Sequence, residues 1–159
     1  MINHPFEKRP AGLYFVPGDF YIDPKRAVEK AVISHGHADH ANPINTEGWC
    51  TSGTQAIMKT RYGIKLRTKL NVVSYREPFA FGPAVITFYP AGHILGSAQI
   101  VIDYNNIRYC YTGDFKLRQD VSCEPFEIVP CDVLITETTF AHPDYDHPPE
   151  ESEFEKLKQ

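Results

Sequence analysis

Short apolar runs broken by turn residues fill most of this chain, and they predict a strand-rich domain. Leu13-Tyr14-Phe15-Val16 and Phe20-Tyr21-Ile22 flank Pro17-Gly18-Asp19 and read as a hairpin. Asp23 before Pro24 reads as a cap and first helical position, which predicts a helix over residues 25–31. Residues 31–34 read as a short buried strand, and Trp49-Cys50-Thr51 as another. Ser52 or Thr54 is placed to cap a helix that runs to Tyr62 and stops at Gly63. In the second half, residues 84–89 form a β-type run ending at Pro90, and residues 133–136 form another. Residues 99–104 and 107–112 make a hairpin around Asn105-Asn106, a pair that tolerates positive φ. Residues 148–159 read as the opening of an acidic amphipathic helix. Many strands with two or three helices predict an α/β (α+β) domain, layered as an αββα sandwich.

The chemistry is concentrated at the ends of these runs. His35-Gly36-His37-Ala38-Asp39-His40 follows directly after an apolar stretch. From this chain's own composition, that pattern arises by chance on the order of once in a thousand such sequences. Imidazole and carboxylate are ligands of zinc, manganese and iron. In an extended segment i and i+2 point the same way, so His35 and His37 can share one metal, while a turn at Ala38 aims Asp39 and His40 beside it. His93, between Gly92 and Ile94-Leu95-Gly96-Ser97, stands at another strand end. Asp114, in Thr112-Gly113-Asp114-Phe115, stands at a third. A lone histidine or a Gly-Asp turn is more often structural. Four histidines and two aspartates together suffice for two adjacent metals that share a carboxylate.

Composition narrows the setting. At 159 residues and 42% hydrophobic the chain can bury one core, and its ten Phe and nine Tyr argue against disorder. No apolar run reaches the roughly 20 residues of a membrane span, and the start has no secretory pattern, so the cytoplasm is the expected location. Cys50, Cys110, Cys123 and Cys131 form no C-x-x-C pair and read as reduced thiols. Residues 1–140 carry fourteen acidic and fourteen basic side chains, whereas residues 141–159 carry six acids against two lysines. A neutral body does not advertise a polyanionic partner. Lys59, Arg61, Lys65, Arg67 and Lys69 form one local basic cluster, which partly offsets this: it has the charge to contact a phosphate backbone, although a solvated face is the more common reading of such a cluster.

With these motifs in view, the chain resembles the metallo-β-lactamase fold hydrolases over residues 12–145. The resemblance implies that His35, His37 and His93 hold one metal, that Asp39 and His40 hold the other, and that Asp114 bridges them. It implies zinc as the cofactor, with manganese as the alternative, and makes Asp23 an acid that orients ligands from behind. Ala91-Gly92-His93-Ile94-Leu95-Gly96-Ser97-Ala98, Thr112-Gly113-Asp114-Phe115 and Glu137-Thr138-Thr139-Phe140 look like the β-CASP nucleases within that fold. The opening Gly18-Asp19-Phe20-Tyr21-Ile22-Asp23-Pro24 and the histidine motif look like the bacterial ligase-associated DNA exonucleases.

The function so implied is a nuclease that uses water activated between two metals, on DNA ahead of RNA, in functional association with a DNA ligase and with no membrane. Asp39 and Asp114 would orient that water, and Glu137 would position a general-acid histidine. In that group the lactamase fold is interrupted by an inserted β-CASP domain, and the returning stretch supplies the general acid and a last metal ligand. His142 and His147 lie too close to Glu137 to replace them. Residues 1–145 are therefore expected to be the N-terminal part of an incomplete lactamase domain, residues 146–159 the start of a helix leading into the insertion, and this chain by itself weakly active or inactive. Two alternatives stay open: a thioesterase or lactonase of the same fold, and an inert scaffold that keeps the metal site.

Overall fold

The computed structural model describes residues 4–139, 141–142, 144–145, 148 and 150–158. Eleven strands among them form two sheets. The first sheet runs in chain order through β1 (Phe6–Arg9), β2 (Gly12–Phe15), β3 (Phe20–Ile22), β4 (Lys30–Val32), β5 (Glu47–Cys50) and β6 (Lys69–Val72). β1 to β3 are antiparallel neighbours, and β3 to β6 are parallel. The second sheet contains β7 (Phe79–Phe81), β8 (Ala84–Pro90), β9 (Ala98–Tyr104), β10 (Ile107–Tyr111) and β11 (Val133–Ile135), in the order β11-β10-β9-β8-β7. Its strands are antiparallel except for the β10–β11 pair.

Alternation along the strands builds the core between the sheets. Phe15, Phe20, Ile22 and Val32 of the first sheet meet Phe81, Ile86, Phe88, Ile100, Ile102 and Tyr109 of the second, all buried. The rings of Phe20 and Phe81 lie 4.8 Å apart, and Trp49 meets Phe81 edge-on at 4.6 Å. Burying each such side chain contributes roughly 1.5–3 kcal/mol, so the aliphatic and aromatic side chains close the sandwich together. On the other face of the first sheet, helix α1 (Ser52–Tyr62) seats Met58 among Ala31, Ile33, Ala41 and Cys50. Helix α2 (Glu150–Leu157) carries the acidic end. The architecture is mixed α/β, with two stacked sheets and a helical layer outside the first.

Several expectations hold. The β2–β3 hairpin forms, and Asn105 and Asn106 take φ of 49° and 60° at the β9–β10 turn. The cap of α1 is a correction: Thr51, neither Ser52 nor Thr54, accepts the Thr54 N–H with its hydroxyl. The helix over residues 25–31 is a second correction, because that stretch is an irregular crossover into β4. Asp23 has φ +44°, which no N-cap adopts, and its carboxylate is turned to Ser34. The crossover's backbone donors are taken by distant acceptors: Lys25 N–H by the Ala11 carbonyl and Val28 N–H by Asn45 Oδ1. Tertiary partners thus replace the helical ladder.

The strand ends meet at one edge. Asp23 follows β3, His35 follows β4, His93 follows β8, Asp114 follows β10 and Glu137 follows β11. Two glycines let the segments approach. Gly113 has φ +57°, and a Cβ there would lie 2.9 Å from the Ser34 side chain. Gly96, at φ +78°, lets its carbonyl accept the hydroxyls of Thr51 and Thr54 at 2.6 and 3.0 Å, which joins the His93 loop to the start of α1. Ala98 N–H donates to the Ser34 carbonyl at 2.8 Å and links the two sheets beside the site.

Candidate metal centre

Three imidazoles converge with one carboxylate. His35 Nε2 lies 3.0 Å from His37 Nδ1, and His93 Nε2 lies 3.2 Å from the same atom. Asp114 Oδ2 is 3.7 Å from both His35 Nε2 and His93 Nε2. The other oxygen of Asp114 is 3.5 Å from His40 Nε2, and Asp39 Oδ2 is 3.5 Å from that nitrogen as well. Asp114 therefore faces two groups at once: His35, His37 and His93 on one side, His40 and Asp39 on the other. Asp39 is the exposed member.

Zinc–nitrogen bonds of 2.0–2.1 Å in a tetrahedron put neighbouring donors about 3.3 Å apart. The His35 and His93 nitrogens each stand from His37 Nδ1 at nearly that spacing, so the donor set fits a small divalent cation. Asp23, His35 and His40 make a second tight group. Asp23, however, is saturated by donors. Its Oδ1 accepts the Ser34 N–H at 2.7 Å, and its Oδ2 accepts the Ser34 hydroxyl at 2.5 Å, His40 Nδ1–H at 2.9 Å and the Tyr111 hydroxyl at 3.1 Å.

These bonds settle which ring nitrogens are free. Ser34 spends its proton on Asp23, so its oxygen accepts Nδ1–H of His35 at 3.0 Å. The lone pair of His35 Nε2 then points at His37 and Asp114. His40 likewise gives Nδ1–H to Asp23 and turns Nε2 toward Asp39 and Asp114. This is the arrangement by which an outer acid fixes the tautomer of ligating histidines.

The loops are braced from below. Ser97 Oγ accepts the N–H groups of His93 and Ile94 at 3.0 and 3.2 Å. Arg61 donates to the Gly36 carbonyl at 2.9 Å, and the Tyr62 hydroxyl donates to the Ala41 carbonyl at 3.0 Å. Glu137 Oε1 accepts the N–H of Phe115 at 3.3 Å, next to Asp114. Burial opposes ionisation of Glu137, but hydrogen bonds from Thr139 and the Phe115 backbone hold its carboxyl below the usual range. His142 faces Asp144 at 3.3 Å and belongs to neither cluster. Phe140 and His147 lie outside the described residues. Ser97 lies inside the Gly92–Ala98 motif but is not marked there as a bracing residue, and Ser34 and Tyr111 carry no sequence signal of their own. All three stand within four residues of a motif histidine or aspartate at a strand end, which is where such partners are found.

Proton linkage follows from this burial. Burial first, then the imidazoles of His40, His37 and His93, pull His35 down to about 2. Burial also lowers His93. For His40 burial acts downward, but the hydrogen bond and charge of Asp23, with the charges of Asp114 and Asp39, together more than offset it and the pKa is raised. Unfolded histidine titrates near about 6.5. Stability from His35 and His93 is therefore present above about pH 6.5 and is lost as the pH falls below it, while that from His40 is full below the same point and fades above its raised value. Two lowered rings, one of them deeply, outweigh one raised ring. The metal-free protein is expected to become easier to unfold with urea as the pH drops from about 7 to about 5; a rising midpoint would contradict the assignment.

No family model matches the chain. Among curated proteins it is 34% identical over 139 residues to a probable DNA ligase of Opitutus terrae, matching 87% of this chain and 14% of that protein. It is 32% identical over 124 residues to the endoribonuclease YSH1 of Gibberella zeae, matching 76% of this chain and again 14% of the relative. The chain thus spans about one seventh of the length of these relatives. A solved protein of unknown function from Enterococcus faecalis V583 superposes with a TM-score of 0.51 at 17% identity, over 55% of this chain and 25% of that one, which is a likeness of fold alone. The motifs and these similarities define a metallo-β-lactamase fold protein, and within that fold the chain belongs to the β-CASP group.

Proposed function

We propose that these residues carry the metal centre of a nuclease, a metal-dependent phosphodiesterase acting on DNA ahead of RNA. The observation that carries the reading is the placement of Asp114 between the His35-His37-His93 group and the His40-Asp39 pair. A divalent cation bound there supplies a Lewis acid that makes water more acidic and neutralises charge on a phosphodiester. In this reading His35, His37 and His93 would hold one cation, Asp39 and His40 would hold the other, and Asp114 would be shared between them. Zinc is favoured by the imidazole spacing, with manganese the alternative. About one cation binds tightly, because the second group has fewer protein donors here.

Asp23 orients the ligands, and Glu137 fixes the backbone beside Asp114 and receives the general-acid histidine. We place that acid, and most of the surface that grips the strand, in the inserted domain and returning segment of a longer β-CASP enzyme, with residues 1–145 as the first part of its lactamase domain. The 34% identity to a probable DNA ligase supports DNA and a link to ligation, whereas the similarity to an endoribonuclease supports RNA. The thioesterase, lactonase and scaffold alternatives draw no support from either relative. Among the described residues no helix is long and apolar enough to cross a membrane, and we assign the protein to the cytoplasm.

Hydrolysis of a generic phosphodiester ester and of single-stranded DNA, RNA and a thioester, with and without chelator, tests the reading. Slow, chelator-sensitive phosphodiester cleavage is expected of these 159 residues. The rate should rise about 10²–10⁴-fold when the segments bearing the general acid are joined to them. Thioester turnover without phosphodiester cleavage would replace the nuclease reading, and a metal-loaded but inert extended protein would support a scaffold.

A further inference from the structure

Tyr111 lies at the end of β10, three residues before Asp114. Its ring packs against the core between the sheets, and its hydroxyl reaches across to the first sheet and donates to Asp23 Oδ2 at 3.1 Å. Donors thus arrive at that oxygen from β10, from the end of β4 through Ser34, and from the turn that carries His40. A carboxylate oxygen with three donors has no lone pair left for a metal. Asp23 is therefore left to act through its neighbours, and its angle decides which nitrogen of His40 keeps the proton.

We infer that Tyr111 is a positioning residue of the metal centre: its hydroxyl holds the Asp23 carboxylate so that His40 keeps its proton on Nδ1 and presents Nε2 to Asp39 and Asp114. A tie between the sheets alone would not need the hydroxyl. The Ala98–Ser34 hydrogen bond and the contact of Gly113 with Ser34 already join them at this point, and the Tyr111 ring supplies the packing. The ring and the hydroxyl have separate duties, and Tyr111→Phe removes only the second. The inference rests on the two-centre reading of the site and is independent of the nucleic-acid substrate.

The test compares the whole chain with its Tyr111→Phe variant during zinc titration under chelator competition. Ring tautomers are read from long-range ¹⁵N–¹H spectra, and the unfolding midpoint is measured without metal. In the unchanged chain, at a pH high enough to keep the ring neutral, His40 is expected to carry its proton on Nδ1. In the variant the His40 ring should populate both tautomers, and the second zinc equivalent should bind about 10-fold more weakly. The first equivalent and the unfolding midpoint should change little. An unaltered His40 spectrum overturns the inference. So does equal weakening of both equivalents with a lowered midpoint, since that is the mark of a structural tie. A chain that binds no zinc refutes the two-centre reading itself, whereas zinc binding with normal tautomers but no cleavage of nucleic acid removes only the proposed substrate.

Discussion

Replacing His93 with alanine is expected to strip the chain of its tightly held metal. His93 Nε2 sits 3.2 Å from His37 Nδ1 and 3.7 Å from Asp114 Oδ2, so its loss leaves two imidazoles and one carboxylate oxygen facing an open side. Removing an outer partner of a metal ligand commonly costs 10–100-fold in affinity; removing the ligand itself should cost more than about 100-fold. The fold should survive. The His93 side chain is a quarter exposed, and its loop is held through backbone N–H groups on Ser97 Oγ and through the Gly96 carbonyl, none of which the substitution touches. Elemental analysis after gel filtration, paired with circular dichroism, checks both halves. Metal content equal to that of the unchanged chain would remove His93 from the site, and any metal-dependent cleavage should vanish with the metal.

The second large effect is expected from Asp23→Asn. The substitution keeps the size and suits a residue at φ +44°, because asparagine tolerates that region. It replaces one acceptor oxygen with an NH₂ group facing donors. If the amide nitrogen takes the place of Oδ2, the hydroxyls of Ser34 and Tyr111 can rotate to accept, but His40 Nδ1–H cannot. The ring must then move its proton to Nε2, where it blocks the lone pair facing Asp39 and Asp114. A loss of 10–100-fold in metal affinity follows, with roughly 1–3 kcal/mol of stability for the mismatched buried donors. Zinc titration and urea unfolding of the metal-free protein measure the two separately. With no helix at residues 25–31, Asp23 has no capping role to fall back on. Titration curves that superimpose on those of the unchanged chain would leave its burial and four hydrogen bonds without a purpose at the metal.

The legible parts of the sequence were those whose cause is local. Asn105-Asn106 gives away its hairpin because few residues accept positive φ in succession, and residues 84–89 are a short run rich in β-branched and aromatic side chains, bounded by Gly82-Pro83 and Pro90. The six-residue histidine motif concentrates its donors within one loop and can be read directly. Short edge strands such as β1 (Phe-Glu-Lys-Arg), β6 (Lys-Leu-Asn-Val) and β7 (Phe-Ala-Phe) escaped because pairing with a neighbour defines them, not their own pattern. The Asp23-Pro24 pair misled for a related reason. It offers good helix-start chemistry, but a partner eleven residues away outbids the helix for the carboxylate. Ser34 and Tyr111 were invisible as site residues because their contact is made through Asp23, and for Tyr111 across 88 positions of chain.

The meeting of five strand ends at one edge also has a meaning in time. A chain made from its N-terminus carries the His35-His37-His40 loop long before β8 delivers His93 and β10 delivers Asp114. Through that interval the loop is a set of loose donors with nothing opposite them. Contacts of such long sequence separation form late, since the entropy of closing the intervening chain must be met first. A metal held by these residues would thus be a seal placed on the finished sandwich, and its tight capture would report that both sheets have already closed.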